Sequence, residues 1–315
     1  TILPILDVMD KRGVTDFLMD VPYFPANMGL QHRIIRTTSR PASTRRNFYQ
    51  GVGSTITTTQ VINEPVVLFE QRSQIDEDQL DTVENPQEAR RQEDEGHIAG
   101  LLEDFVNAIF NDAKSTGSEY IDGLKTRLGT LSYPGHTTSS LPYCYTCGGA
   151  ATLSSAYVVE WGPRACHAVY PSGAAAQGGQ FGISARDKGK EKVADADTAA
   201  NTYYCYVSQF KKWVGLACWD DRKVARIANI EPTGSTTIFD EDVLIQVLNH
   251  GRFNVGATRI YVNPYIKSQI DILAKDKYSG WALADVFGKP VPAFWGVPVR
   301  VLDETILGIT EAAVT

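Results

Sequence analysis

From Arg33 to Arg46 the chain reads RIIRTTSRPASTRR, and from Asp76 to Phe110 it reads DEDQLDTVENPQEARRQEDEGHIAGLLEDFVNAIF. The first stretch carries Arg33, Arg36, Arg40, Arg45 and Arg46 and no acid, in a Thr- and Ser-rich background that favours extended backbone. It runs through Gly51-Val52-Gly53 into Thr55–Thr59 and then Val66–Phe69, which reads as a long hairpin with a basic outgoing strand, a Gly-containing tip and a returning strand. Such an arm cannot bury both faces against itself, so it implies a neighbour. In the second stretch the sign reverses: Asp76, Glu77, Asp78, Asp81, Glu84, Glu88, Glu93, Asp94 and Glu95 face only Arg90 and Arg91. A helix is expected to start there, with Asn85 as N-cap, Pro86 at the first helical position and Glu88 completing a capping box. Ile98, Leu101, Leu102, Phe105, Val106, Ile109 and Phe110 recur at spacings of three and four and define one buried stripe. Running to Ala113, the helix would span about 40 Å at ~1.5 Å per residue. Its first half is polar on nearly every side, which places it on a surface or interface.

Downstream, Lys114–Ala151 reads as irregular, Ala156–Tyr170 and Tyr203–Ile230 as strands, and Pro171–Thr202 between them as a flexible, Gly-rich and charged insertion. Asp240 is expected to cap a short helix that Gly251 stops. A strand at Arg259–Val262 leads into a second Asn-Pro helix start at Asn263-Pro264, and Val297–Leu302 forms a last strand. The mixture is α+β, without repeats or strict βαβ alternation.

Composition narrows the function classes. A chain of 315 residues with 43% hydrophobic and 21% charged residues is globular, and no apolar run is long enough to cross a bilayer. Thr1–Val8 lacks the basic start and cleavage site of a signal peptide. The net charge of −7 argues against a sequence-reading nucleic-acid binder, though not against a protein that merely surrounds nucleic acid. Cys144, Cys147, Cys166, Cys205 and Cys218 are an odd number without an export signal and are expected as free thiols.

The candidates for chemistry are weak. Cys144-Tyr145-Thr146-Cys147 has the spacing of half a zinc site or a redox pair, but no second pair at compact spacing accompanies it. Gly173–Gly182 lacks the Gly-Lys-Ser/Thr ending of a phosphate loop, and Lys188, Lys190 and Lys192 read as a solvated loop. Asp76, Glu77 and Asp78 lack the spacing of a calcium loop. His32, His97, His136, His167 and His250 are scattered, with no Gly-x-Ser-x-Gly elbow or His-Glu-x-x-His helix beside them. No catalytic constellation, metal site or cofactor is expected.

Three strings carry a resemblance. Val158-Val159-Glu160-Trp161-Gly162-Pro163 with His167-Ala168-Val169-Tyr170-Pro171 looks like the V-V-W-G … H-G-I-F-P segment of a podovirus-type capsid group. Trp213-Val214-Gly215-Leu216-Ala217, then Asp220-Asp221-Arg222 and Arg226-Ile227-Ala228-Asn229-Ile230, is similar to that group's G-L-x-V-x-D-W-R … R-I-A-N-I. Tyr261-Val262-Asn263-Pro264 with Trp295-Gly296-Val297-Pro298-Val299 looks like the L-N-P … G-I-P-V module of the wider family. Together they resemble major capsid proteins of tailed phages, which share the Hong Kong phage capsid fold.

That resemblance implies an N-terminal arm at 1–31, an E-loop at 32–75, and a P-domain at 76–149 with its spine helix at 85–113. It further implies a strand with a flexible insertion at 150–197, long P-domain strands at 198–232 and an A-domain at 233–315. In most relatives the N-P … G-I-P-V module precedes the Gly-Leu-Ala strand; here Gly215-Leu216-Ala217 comes first, so a non-circularly permuted topology is expected. No lysine lies between Lys11 and Lys114, which makes covalent cross-linking from an E-loop lysine improbable.

The implied function is a structural subunit, without enzymatic activity, that self-assembles as hexamers and pentamers into an icosahedral head around double-stranded DNA held without sequence specificity. The expected partners are a portal, a separate scaffolding protein, since no long helical extension precedes the arm, and a decoration or cement protein; no membrane is involved. The expected location is the virion capsid, assembled in the host bacterial cytoplasm. Arg36, Arg40, Arg45 and Arg46 of one subunit are expected to pair with Asp76, Asp78, Asp81, Glu84, Glu88, Glu93, Asp94 and Glu95 of its neighbour. The competing readings are an encapsulin-type nanocompartment shell and a thiol- or zinc-dependent enzyme centred on Cys144 and Cys147.

Overall fold

A computed structural model describes residues 13–173, 183–195, 201–234, 236–276, 281–286 and 289–315. Residues 1–12 of the expected arm and 174–182 of the Gly-rich run lie outside the described residues. In chain order the elements are α1 (Val14–Asp20), β1 (Tyr23–Pro25), β2 (Gln31–Ser39), β3 (Thr58–Pro65), β4 (Val67–Asp76), α2 (Glu77–Asp81), α3 (Pro86–Asn111), α4 (Leu124–Arg127), β5 (Tyr143–Thr146), β6 (Ser154–Glu160) and β7 (Cys166–Tyr170). There follow β8 (Ile183–Ala194), β9 (Thr202–Cys218), β10 (Val224–Ile230), α5 (Glu241–Gly251), β11 (Thr258–Val262), α6 (Pro264–Asp276), β12 (Trp281–Val286), β13 (Lys289–Phe294) and β14 (Val297–Val301).

Three sheets result. In the first, β9 pairs along one edge with β4 and along the other with β8 and then β7, to which β1 adds. The second has the order β12-β13-β14-β11-β6-β10-β5, and the third is the β2–β3 hairpin alone. The long α3 lies over the first sheet. Its C-terminal half buries Leu101, Phe105, Val106, Ile109 and Phe110, the stripe read from the sequence, and each such side chain contributes about 1.5–3 kcal/mol by leaving water. This half meets α1, where Phe17 sits 5.4 Å from Phe110 and 5.1 Å from Tyr261, ring centre to ring centre. The N-terminal half meets the sheet through polar groups: Arg90 pairs with Asp187 at 3.0 Å, and Ser208 donates to Asp94 at 3.1 Å. A second core fills the other sheet, where Leu244 and Val247 of α5 and Ile266 and Ile270 of α6 pack on β6, β10 and β11.

Several local expectations change. Asn85 does cap α3, accepting from the Glu88 amide at 3.4 Å, but the Glu88 carboxylate turns to Arg91 at 2.6 Å, so the reciprocal half of the capping box is not made. The helix ends at Asn111, where Asp112 turns extended. Gly251 is the last residue of α5 and the left-handed residue is Arg252 (φ 51°); a β-carbon at Gly251 would lie 2.1 Å from the Phe253 ring, so this glycine makes room for packing. The stretch read as a flexible insertion contains β8, a twelve-residue edge strand. Its lysines hid the pattern: Lys190 reaches Glu77 and lies 5.1 Å over the Tyr204 ring, while Gly189 (φ 75°) takes up a bulge. Charged edges of this kind prevent further strand pairing. The segment read as irregular holds α4 and β5. Within the expected arm, α1 joins the core: Val14, Phe17 and Val21 are core residues, and Asp20 accepts from Arg259 at 3.0 Å and Arg300 at 2.9 Å.

Gly215 on β9 meets the bend between β3 and β4, where an added β-carbon would stand 2.2 Å from the Pro65 carbonyl oxygen. Gly215→Ala is expected to cost about 1–3 kcal/mol through overpacking. Thermal unfolding of the soluble subunit checks this, and an unchanged midpoint would show that the bend yields freely.

Candidate functional site

The hairpin β2–β3 divides into a buried root and an exposed tip. At the root, alternation along β2 turns His32 and Ile34 inward, and Ile34 packs with Ala26, Val66, Val169 and Ala217. Opposite His32, Glu64 is 2% exposed and accepts both branches of the Arg127 guanidinium, at 2.8 and 2.6 Å. This two-pronged geometry gives direction as well as charge compensation to a carboxylate removed from water. Arg36, one turn of the pleat further out, donates to Asp221 and to the Cys218 carbonyl. His32 meets the edge of His167 at 5.6 Å and Trp219 at 5.7 Å.

Beyond Arg36 the hairpin loses contact with its own subunit. Residues 37–61 are exposed, including Phe48 at 94%, Tyr49 at 106% and Ile56 at 83%. Arg40, Arg45 and Arg46 stand among them, and among the described residues none of the three pairs with a carboxylate; Arg46 donates only to the Gln50 carbonyl at 3.0 Å. A two-stranded ribbon carrying exposed aromatics is marginal in water by itself.

The acidic residues separate into more enclosed and more exposed groups. Asp76 caps α2, Glu88 pairs with Arg91, and Asp94 accepts from Ser208. Glu95 shares Arg91 at 2.6 Å and Glu93 faces His97 at 3.4 Å, both remaining exposed. Asp78, Asp81 and Glu84 are exposed in the α2–α3 region. Arg36, expected at a subunit contact, pairs within its own subunit with Asp221, 185 residues away. Sequence reasoning also missed Phe48 and Tyr49; adjacent aromatics in a stretch with no apolar neighbours were the available signal.

Cys144 and Cys147 do not converge. Three residues of extended chain turn side chains to opposite faces, and Cys144 packs with Leu131, Ala228 and Val314 while Cys147 packs against the core under α5. Burial pushes both thiols up to about 11. Among the described residues no group of three His, Cys, Asp or Glu could hold a metal ion. Among the described residues no helix is long and apolar enough to cross a membrane.

A long helix across a strand pair, a projecting hairpin and a separate second sheet define the tailed-phage capsid fold. A structure of bacteriophage Epsilon15 matches with a TM-score of 0.68 at 20% identity, covering 100% of this chain and 91% of that one. The bacteriophage JBD30 capsid matches with a TM-score of 0.51 at 10% identity, covering 96% and 93%. No curated protein sequence is similar enough to count as a relative. The chain belongs to the major capsid protein GP7 family, whose profile matches residues 1–315. It is a structural subunit of a tailed-phage head.

Removing one partner of the root ion pair strands the other. Glu64→Gln is expected to destabilise the subunit by about 3 kcal/mol, measured by denaturant unfolding; a loss under about 1 kcal/mol would mean that the hairpin root does not depend on this pair. Burial also lowers His167 from its ordinary 6.5 to about 4, its Nδ1 lying 3.2 Å from the Gly162 carbonyl, and lowers His32 in the same direction. A buried neutral imidazole takes up a proton on unfolding, so its stabilisation is full above 6.5 and declines as pH falls toward about 4. Unfolding midpoints should therefore drop across that window, and less steeply in His167→Gln; equal slopes would remove His167 as a cause.

Proposed function

We propose that the exposed hairpin tip of one subunit docks on the acidic α2–α3 segment of its neighbour, closing hexamers and pentamers into the icosahedral shell. One observation carries this: among the described residues Arg40, Arg45 and Arg46 have no acidic partner, and they project from the subunit together with exposed Phe48 and Tyr49. Asp78, Asp81, Glu84, Glu93 and Glu95 supply exposed charge of the opposite sign. Asp76, Glu88, Asp94 and Arg36 contribute indirectly, by fixing the segments that present these groups. Each exposed pair is worth about 0–1 kcal/mol, but the contact repeats around the shell and sets its register.

The same reading extends to the rest of the particle. The shell encloses double-stranded DNA without reading its sequence, and a net charge of −7 suits a wall along which packaged duplex must move. It has no enzymatic activity, is built in the host cytoplasm, and works with a portal, a separate scaffolding protein and a decoration protein that reinforces a shell lacking an E-loop lysine. The order of the Gly215-Leu216-Ala217 and Gly296-Val297-Pro298-Val299 modules supports a reordered connectivity within the fold, with the arm, E-loop, P-domain and A-domain divisions given above.

Reversing Arg45 and Arg46 to Glu together is expected to leave soluble subunits and abolish closed shells under the electron microscope. Closed shells at the normal yield would sink the charge-pairing account.

A further inference from the structure

Cys166 on β7 and Cys218 on β9 face each other directly across an antiparallel strand pair, with their sulfur atoms 3.2 Å apart. Both are buried, at 0% and 2% exposure. The register fixes which kind of pair they form. Next along the ladder, the Trp219 amide donates to the Ala165 carbonyl at 2.8 Å, which makes Cys166–Cys218 a site without hydrogen bonds between its own backbones. Their carbonyls confirm it by pointing away from each other: that of Cys166 accepts from the Gly162 amide and that of Cys218 from Arg36. At such sites the Cα atoms lie about 4.5 Å apart, inside the ~4.4–6.8 Å that a disulfide spans. The remaining thiols are elsewhere: Cys144 and Cys147 lie on or beside β5, and Cys205 sits near the far end of β9.

We propose that Cys166 and Cys218 are a poised dithiol that a hydroperoxide oxidises to a cross-strand disulfide, locking β7 to β9 beneath the hairpin root. The pair is asymmetric. The hydrogen bond from Cys166 and the nearby Arg127 charge draw the Cys218 thiol below its ordinary range, while burial pushes Cys166 up. Cys218 is thus the attacking thiolate. Its sulfur takes one peroxide oxygen as the O–O bond breaks, leaving a sulfenic acid and one water after proton uptake. The Cys166 sulfur then attacks the Cys218 sulfur, the S–O bond breaks, and a second water leaves as the S–S bond forms. In sum two thiols lose two electrons and two protons, and one hydrogen peroxide becomes two waters.

The bond would close a loop of 52 residues and clamp the strand end that receives Arg36. Thiols stay reduced in a reducing compartment, so given the proposed assembly in the host cytoplasm the bond forms once the finished shell meets an oxidising medium. Nothing in this chemistry depends on how the hairpin docks.

The test uses the full chain, as purified shells and as soluble subunits, treated with hydrogen peroxide at a dose that fully oxidises free glutathione. Thiol titration in denaturant is expected to fall from five to three per chain. Non-reducing peptide mapping should join the Cys166 and Cys218 peptides, and the unfolding midpoint should rise by roughly 5–15 °C and return with dithiothreitol. In Cys166→Ser, a sulfenic acid at Cys218 should be trapped by dimedone and no rise should occur. Retention of all five thiols, a disulfide mapped elsewhere, or sulfinic acid at Cys218 in the unmodified chain would each overturn the proposal.

Discussion

Strand β9 is hydrogen-bonded along both edges, and the long helix and the projecting hairpin are both anchored to it. One edge holds β4, which continues from the hairpin; the other holds β8 and then β7. Of its seventeen residues, 205–212 pair with β4 on one side and β8 on the other, and this doubly paired backbone leaves few amides free to rearrange, so the strand acts as a rigid beam. Helix α3 rests along it, and the hairpin root closes against its C-terminal end through Gly215 and Cys218. Without this beam the hairpin would be a two-stranded ribbon with nothing to hold its direction.

The charges follow the same division. Those near the beam are consumed inside the subunit: Arg127 by Glu64, Arg36 by Asp221, Arg90 by Asp187. Burial of Glu64 makes its pair with Arg127 directional and intolerant of a missing partner, which suits it to fixing geometry. Those beyond it remain exposed and screened, individually weak but many-fold repeated in a shell. The hairpin therefore has a rigid root and an exposed tip, and the change from one to the other falls at Arg36. Phe48, Tyr49 and Ile56 add exposed apolar surface to the charge of the tip.

The fold class, the long helix with its stripe, the Asn85, Asp240 and Asn263 caps and the projecting hairpin were legible in the sequence, because each depends on residues a few positions apart. The resemblance carried by three short strings also reached the capsid family. Less of the contact surface was legible. The acids and arginines could be named, but not which of them the subunit uses for itself, and Tyr49 and Phe48 gave no periodic signal in a stretch without regular structure. The lysines of β8 concealed a strand in which Lys190 and Lys192 lie directly across from Tyr206 and Tyr204 of β9.

By itself, then, the sequence determined the local elements, the basic hairpin, the acidic segment after it and the family. Only the tertiary structure decided that Arg36 faces Asp221, that Glu64 faces Arg127, that α1 lies in the core, and that Cys166 and Cys218 touch. The reason is separation along the chain: these partners lie 52 to 185 residues apart, and their meeting follows from how whole strands and helices align, which no local pattern encodes.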